Sequence, residues 1–134
     1  MLWLPYLLSI PYFQIEKTSF CYKVISNGSN STIISAHEDK RIRFYDINSN
    51  NLVYSMVAHQ DAITDLDIDS NNMYLLSSSH DSSIRLWNLD SKSCIQEITA
   101  HRKKYDESVN CIGFHKSRTY IASGGADAIA KIYV

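Results

Sequence analysis

Three cysteines, two prolines and four glycines among 134 residues are few, and no long apolar run occurs. Each scarcity excludes something. Cys21, Cys94 and Cys111 are odd in number and form no CxxC pair, so neither a disulfide framework nor a thiolate zinc site is expected. Reduced thiols in a cytoplasmic protein are the default. A basic surplus is also missing: thirteen Lys and Arg stand against fourteen Asp and Glu, for a net charge of −1. Nucleic acids and anionic membranes are held by positive charge gathered on one face, so neither is expected as a partner. The most apolar stretch, MLWLPYLLSIPYF at residues 1–13, is too short to span a bilayer and is broken by Pro5 and Pro11. It has no basic residue after Met1 and no clear small-residue cleavage site, so membrane insertion is not expected. Residues 1–20 are read as a divergent apolar amino-terminal segment. The sequons Asn27-Gly28-Ser29 and Asn30-Ser31-Thr32 would matter only in a secreted chain.

What the chain has instead is repetition. SAHEDKRIRFYD, SSSHDSSIRLWN and SGGADAIAKIYV align on Asp39, Asp81 and Asp127, which are 42 and 46 residues apart. A serine precedes each aspartate by four residues (Ser35, Ser77, Ser123), and an aromatic follows by six (Tyr45, Trp87, Tyr133). Ala58-His59 and Ala100-His101 recur at a spacing of 42. In the central unit four short runs rich in β-branched and aromatic residues, 62–68, 73–79, 83–89 and 93–99, are separated by Asp, Ser and Asn turn formers. None reaches helix length. A period of about 40–45 residues divided into four antiparallel strands is that of a propeller blade. The expected fold is therefore all-β: about three blades near 21–58, 59–100 and 101–134, the last without its outer strand.

These motifs resemble the WD40 repeat family, with Ala-His for its Gly-His and Trp87-Asn88 for its Trp-Asp. Tyr45-Asp46 and Tyr133-Val134 are weaker equivalents, and at Phe20, read as the place of the first unit's histidine, the motif is missing. SMVAHQDAIT, IASGGADAIAKIYV and above all SHDSSIRLWNLDSKSCIQEITAHRKKYDES resemble the carboxy-terminal blades of the striatin family, over roughly residues 21–134. The resemblance implies a scaffolding subunit of a protein phosphatase type 2A assembly that also recruits kinases. That family's coiled-coil, calmodulin-binding and caveolin-binding elements precede its propeller and have no counterpart in these residues.

His59, Ser77 and Asp81 are the residue types of an acyl-transfer triad. They recur as His101, Ser123 and Asp127, and a catalytic site has no reason to be copied unit by unit. The resemblance assigns them a structural hydrogen-bond network running from turn Asp to loop His to strand Ser to Trp87, with Ser35 and Asp39 as first-unit members. A Ser hydrolase using His59, Ser77 and Asp81 is the rival reading, and a non-functional truncated propeller a third. The run from Asp65 to Asn71 imitates a calcium loop but has Ser70 at the glycine position and Leu76 at the position of the bidentate glutamate. With no P-loop, GxSxG, HExxH or dinucleotide fingerprint either, no cofactor, metal or catalytic residue is expected. The four extra residues of the third unit fall within His101–Glu107, in a loop at the propeller face where partners bind. Arg102, Lys103, Lys104 and Tyr105 are its candidate contacts. Glu38, His80 and Ala126, each just before the turn aspartate, are further candidates on the same rim. Three blades do not close a ring, so blades from the rest of a full-length chain are expected partners, and residues 1–134 alone are expected to be poorly soluble or to associate.

Overall fold

A computed structural model describes residues 19–28 and 30–134; the segment at 1–18 and the sequon serine Ser29 lie outside the described residues. Among the described residues eleven strands form three antiparallel sheets. The first contains β1 (Cys21–Ser26), β2 (Thr32–His37), β3 (Arg41–Asp46) and β4 (Asn51–Val57) in that order. The second repeats the plan with β5 (Ile63–Ile68), β6 (Tyr74–Ser79), β7 (Ser83–Asn88) and β8 (Cys94–Thr99). The third contains β9 (Val109–Phe114), β10 (Ile121–Gly125) and β11 (Ala130–Tyr133). Sequence-neighbouring strands pair throughout, and registers repeat with the sequence: Ile34 faces Phe44 as Leu76 faces Leu86.

Alternation along each strand decides what packs where. Leu75 and Leu76 are neighbours whose side chains leave the sheet on opposite faces. Leu75, with Leu66 and Trp87, packs on Ile34, Ile42, Phe44 and Met56 of the first sheet. Leu76, with Ile84, packs on Val109 and, more peripherally, Ile112, Phe114 and Ile121 of the third. The second sheet is therefore buried on both faces, which is why β6 is buried from Leu75 to Ser79. Among the described residues nothing packs on the two outer faces, with Phe20 72% and Ile132 73% exposed. The result is an open, partial propeller whose third blade has three strands.

Polar contacts also join the sheets at their innermost strands. Asp65 and Asp67 on β5 each accept a backbone N–H of β9, from Ile112 at 3.0 Å and Phe114 at 2.7 Å. Lys23 of β1 reaches Asp65 at 3.3 Å, so one carboxylate touches all three sheets. Alternation places residues two apart on one side of a strand, and here that side faces the next sheet. The acidic run that imitates a calcium loop thus serves as inter-sheet bonding, and no cluster of metal-ligating side chains occurs among the described residues.

Candidate functional site

The polar residues marked by the repeat assemble most fully in the second sheet. The β6–β7 turn presents Asp81, the approach to β5 presents His59, and β6 and β7 present Ser77 and Trp87. Trp87 Nε1–H donates to Ser77 Oγ at 2.9 Å. Ser77 Oγ lies 2.7 Å from His59 Nε2, and His59 Nδ1 lies 3.0 Å from Asp81 Oδ2. The carboxylate can only accept, so Nδ1–H donates to it; in that neutral tautomer Nε2 accepts from the Ser77 hydroxyl, whose oxygen in turn accepts the indole N–H. Opposite Leu86 and Trp87, β8 carries an extra residue, Ile95, a β-bulge that locally bends that strand beside β7. Asp81 also accepts from the Gln60 and Ser83 backbone N–H groups and from Ser83 Oγ. Burial alone would raise its pKa; the bonds from His59, Ser83 and Gln60 outweigh that and hold the carboxyl far below its usual range.

The third sheet copies this with a weaker end. His101 Nδ1 lies 2.8 Å from Asp127 and Nε2 2.7 Å from Ser123, but Tyr133, in place of the tryptophan, meets Ser123 only at 3.4 Å. Asp127 is likewise held low, burial being outweighed by the His101 bond and the Ile129 and Arg102 backbone N–H groups. Gly125 makes room for the histidine: a Cβ there would come within 2.5 Å of the His101 ring.

The first sheet departs from the expected network. Ser35 and Asp39 are not joined through a loop histidine. Ser35 bonds His37 Nε2 at 2.7 Å, and Asp39 pairs with Arg43 through two bonds of 2.6 and 3.1 Å. The Arg43 guanidinium, the largest influence on Asp39, keeps its pKa below the ordinary value. His37 occupies the strand position of Gly125, so an imidazole meets the serine from within the sheet. The Phe20 alignment also shifts. The Phe20 carbonyl accepts from Glu38 N–H as Ala62 does from His80 and Ser108 from Ala126. Phe20 therefore corresponds to Ala62, and the position equivalent to His59 is 17, outside the described residues.

A recurrent clamp escaped the sequence reading. Arg85 donates to the Ala58 carbonyl and Lys131 to that of Ala100, each holding the residue before the loop histidine. The cue was present, since Arg43, Arg85 and Lys131 each stand four residues after the turn aspartate.

Chemically, Ser77, His59 and Asp81 have the connectivity of a hydrolase triad. Ser77 nevertheless has no exposed surface, and the tryptophan N–H is hydrogen-bonded to its oxygen. A nucleophile must reach its substrate; this hydroxyl faces only protein. Two clefts lie between sheets among the described residues. One of about 470 Å³ is lined by Leu86, Ile98, Phe114, Ile121 and Tyr133. Its counterpart between the first two sheets, lined by Phe44, Tyr54 and Lys92, has the β7–β8 turn in its wall, with the Lys92 ammonium 4.9 Å from the Phe44 ring centre.

On the rim the candidate contacts divide. His80 Nδ1 accepts the Ser108 N–H at 3.2 Å and Lys103 pairs with Asp61 at 3.1 Å, so both hold the third unit's loop to the second sheet. Glu38, Arg102, Lys104 and Tyr105 are exposed. Ala126 is partly exposed, and its backbone N–H bonds the Ser108 carbonyl.

The WD domain, G-beta repeat family matches residues 50–88 and 92–133. Human striatin is 58% identical over 112 residues, covering 84% of this chain and 14% of that protein. Striatin-3 of Rattus norvegicus is 53% identical over 120 residues, covering 90% and 15%. The chain thus spans about one seventh of the length of these relatives. Among solved structures, U3-55K superposes with a TM-score of 0.80 at 19% identity, covering 88% of this chain and 37% of that one. The RRP9 WD40 repeats give 0.79 at 20% identity, covering 88% and 36%. Identities this low speak for the fold alone. With serine, histidine, aspartate and aromatic meeting inside two successive antiparallel blades of the matching period, the chain belongs to the WD40 repeat family.

Proposed function

We propose that this chain is a protein-interaction module of a striatin-like scaffold, contributing blades to a cytoplasmic assembly of protein phosphatase type 2A and kinases. The observation that carries a docking role is the complete use of the hydrolase-like residues in holding the blade together. Ser77 is enclosed, and the same set is copied in the next sheet. The similarity to striatin and striatin-3 supports the particular assembly. Catalysis forms no part of this reading. The relatives' greater length supplies room for the remaining blades and for phosphatase-binding segments outside these residues.

A chimera tests it. Human striatin with residues 19–134 of this chain in place of its own matching segment is expected to co-precipitate phosphatase scaffold and catalytic subunits at the level of striatin itself. Loss of both subunits from a soluble, folded chimera would refute the reading. The hydrolase alternative is checked by a fluorophosphonate probe: the scaffold reading expects no labelling of Ser77, and stoichiometric labelling sinks it.

A further inference from the structure

The four residues that the third unit adds build a small hairpin. Lys104 and Glu107 exchange both backbone hydrogen bonds, at 2.7 and 3.0 Å, across a two-residue turn of Tyr105 and Asp106. Both turn residues are left-handed, with φ of 51° and 68°. Such a turn favours Asn-Gly, and a tyrosine there is strained by its own Cβ. Five of the other left-handed residues recur with the repeat, Lys40, Ser82 and Ala128 after the turn aspartate and Asn50 and Lys92 before an outer strand; the sixth, Asn72, is an asparagine in the β5–β6 turn, a residue type that tolerates this conformation. Tyr105 and Asp106 have no counterpart in the other sheets, so the blade plan does not require them.

The strain is held from below. Lys103 pairs with Asp61, Ser108 N–H donates to His80, and Ser108 Oγ lies 2.9 Å from Ser82 Oγ and 3.0 Å from the His101 carbonyl. What this anchored turn displays is one phenol ring, 90% exposed, with the Lys104 ammonium 5.9 Å from its centre. Strained turns that persist because their surroundings fix them gather at functional sites, and tyrosine is enriched among the residues that dominate protein interfaces.

We propose that the Lys104–Glu107 hairpin is a pre-formed docking element whose Tyr105 ring enters an apolar pocket on a protein partner. This rests on the docking role above and specifies its contact. The flanking charges choose the partner class. Lys103 is already paired with Asp61, which leaves Arg102 and Lys104 opposite Asp106 and Glu107. Two charges of each sign favour neither a phosphate backbone nor an acidic peptide, so binding comes from desolvating the ring. A rigid turn also carries little ordering cost.

The test uses the striatin chimera in cells. Benzoylphenylalanine in place of Tyr105 is expected to photo-crosslink a protein at residues lining an apolar pocket, whereas the same group at the exposed Asn71 does not. The crosslinked protein is then purified and titrated. Tyr105→Ala should weaken binding about 30-fold or more, as for an interface hot spot. Tyr105→Asn with Asp106→Gly should weaken it equally while raising the melting temperature by about 5 °C, since the turn is relaxed and the hairpin kept. Raising salt from 50 to 300 mM should change the affinity of the original chain less than about threefold. Crosslinking at 105 no stronger than at 71, or variants that bind as tightly as the original, overturns the proposal. So does a salt effect above tenfold, which would assign the contact to charge. Failure here with phosphatase co-precipitation intact removes only the hairpin; the reverse outcome removes the phosphatase reading and leaves the hairpin.

Discussion

Replacing Ser77 by alanine should be the most damaging single-atom deletion in this chain. Alanine keeps the volume almost unchanged, so no cavity contributes. Two buried groups lose their partner together: the Trp87 N–H at 2.9 Å and His59 Nε2 at 2.7 Å. Each buried polar atom left unsatisfied costs about 1–3 kcal/mol, so the loss should be about 2–5 kcal/mol. Ser123→Ala orphans His101 Nε2, but Tyr133 is half-buried and its hydroxyl, at 3.4 Å, gives up little; about 1–3 kcal/mol is expected. Ser35→Ala affects His37 Nε2 and should cost a similar amount. Urea unfolding followed by far-UV circular dichroism, with slopes near 1–2 kcal/mol per molar, converts the Ser77 loss into a midpoint shift of about 1–5 M. Trp87→Phe in the Ser77→Ala background removes the orphaned donor, and the double-mutant cycle should show coupling of about 1–2 kcal/mol. Equal losses for Ser77→Ala and Ser123→Ala, or a Ser77 loss below about 0.5 kcal/mol, would falsify the directional network.

Three further outcomes follow from the same contacts. Asp81 has a depressed folded pKa, so its contribution is fully present above the unfolded value near 3.9 and fades as pH falls through the folded one; melting scans from pH 7 to 2 should show the chain losing more stability below about pH 5 than Asp81→Asn loses. Parallel curves for the two would contradict the assignment. Ala128→Gly, at a φ of 62°, should raise stability by about 1 kcal/mol in the same urea assay, and a drop would show that the left-handed turn is not strained. Gly125→Ala should cost at least about 2 kcal/mol because its Cβ meets the His101 ring, an outcome that a neutral melt would contradict.

The sheets were legible in the sequence because turn formers and β-rich runs alternate at a fixed period, and burial on both faces left β6 a continuous apolar and serine run. His59, Ser77 and Asp81 were legible through their copy at His101, Ser123 and Asp127. Side-chain partners that depend on a neighbouring sheet were not. Asp65 and Asp67 read only as members of the β-rich run 62–68 and of a failed calcium loop, yet their acceptors meet the backbone of β9, 47 residues further on. His80 and Lys103 read as rim contacts, yet each holds the third unit's loop to the second sheet. In the first unit the serine and aspartate are present in sequence, but His37 and Arg43 take over as partners. The motif records which atoms need satisfying; local geometry decides which group satisfies them.

The paired carboxylates of β5 have a bearing on aggregation. The inner margin of a sheet normally offers a ladder of amides onto which a foreign strand can zip. Here Ile112 and Phe114 have those amides already occupied by the Asp65 and Asp67 side chains, respectively, of the adjoining blade, short groups that accept a bond without extending the ladder. The axis-facing border of the third blade is thereby closed to stray pairing over these residues, and any adhesive strand margin is confined to its periphery at β11.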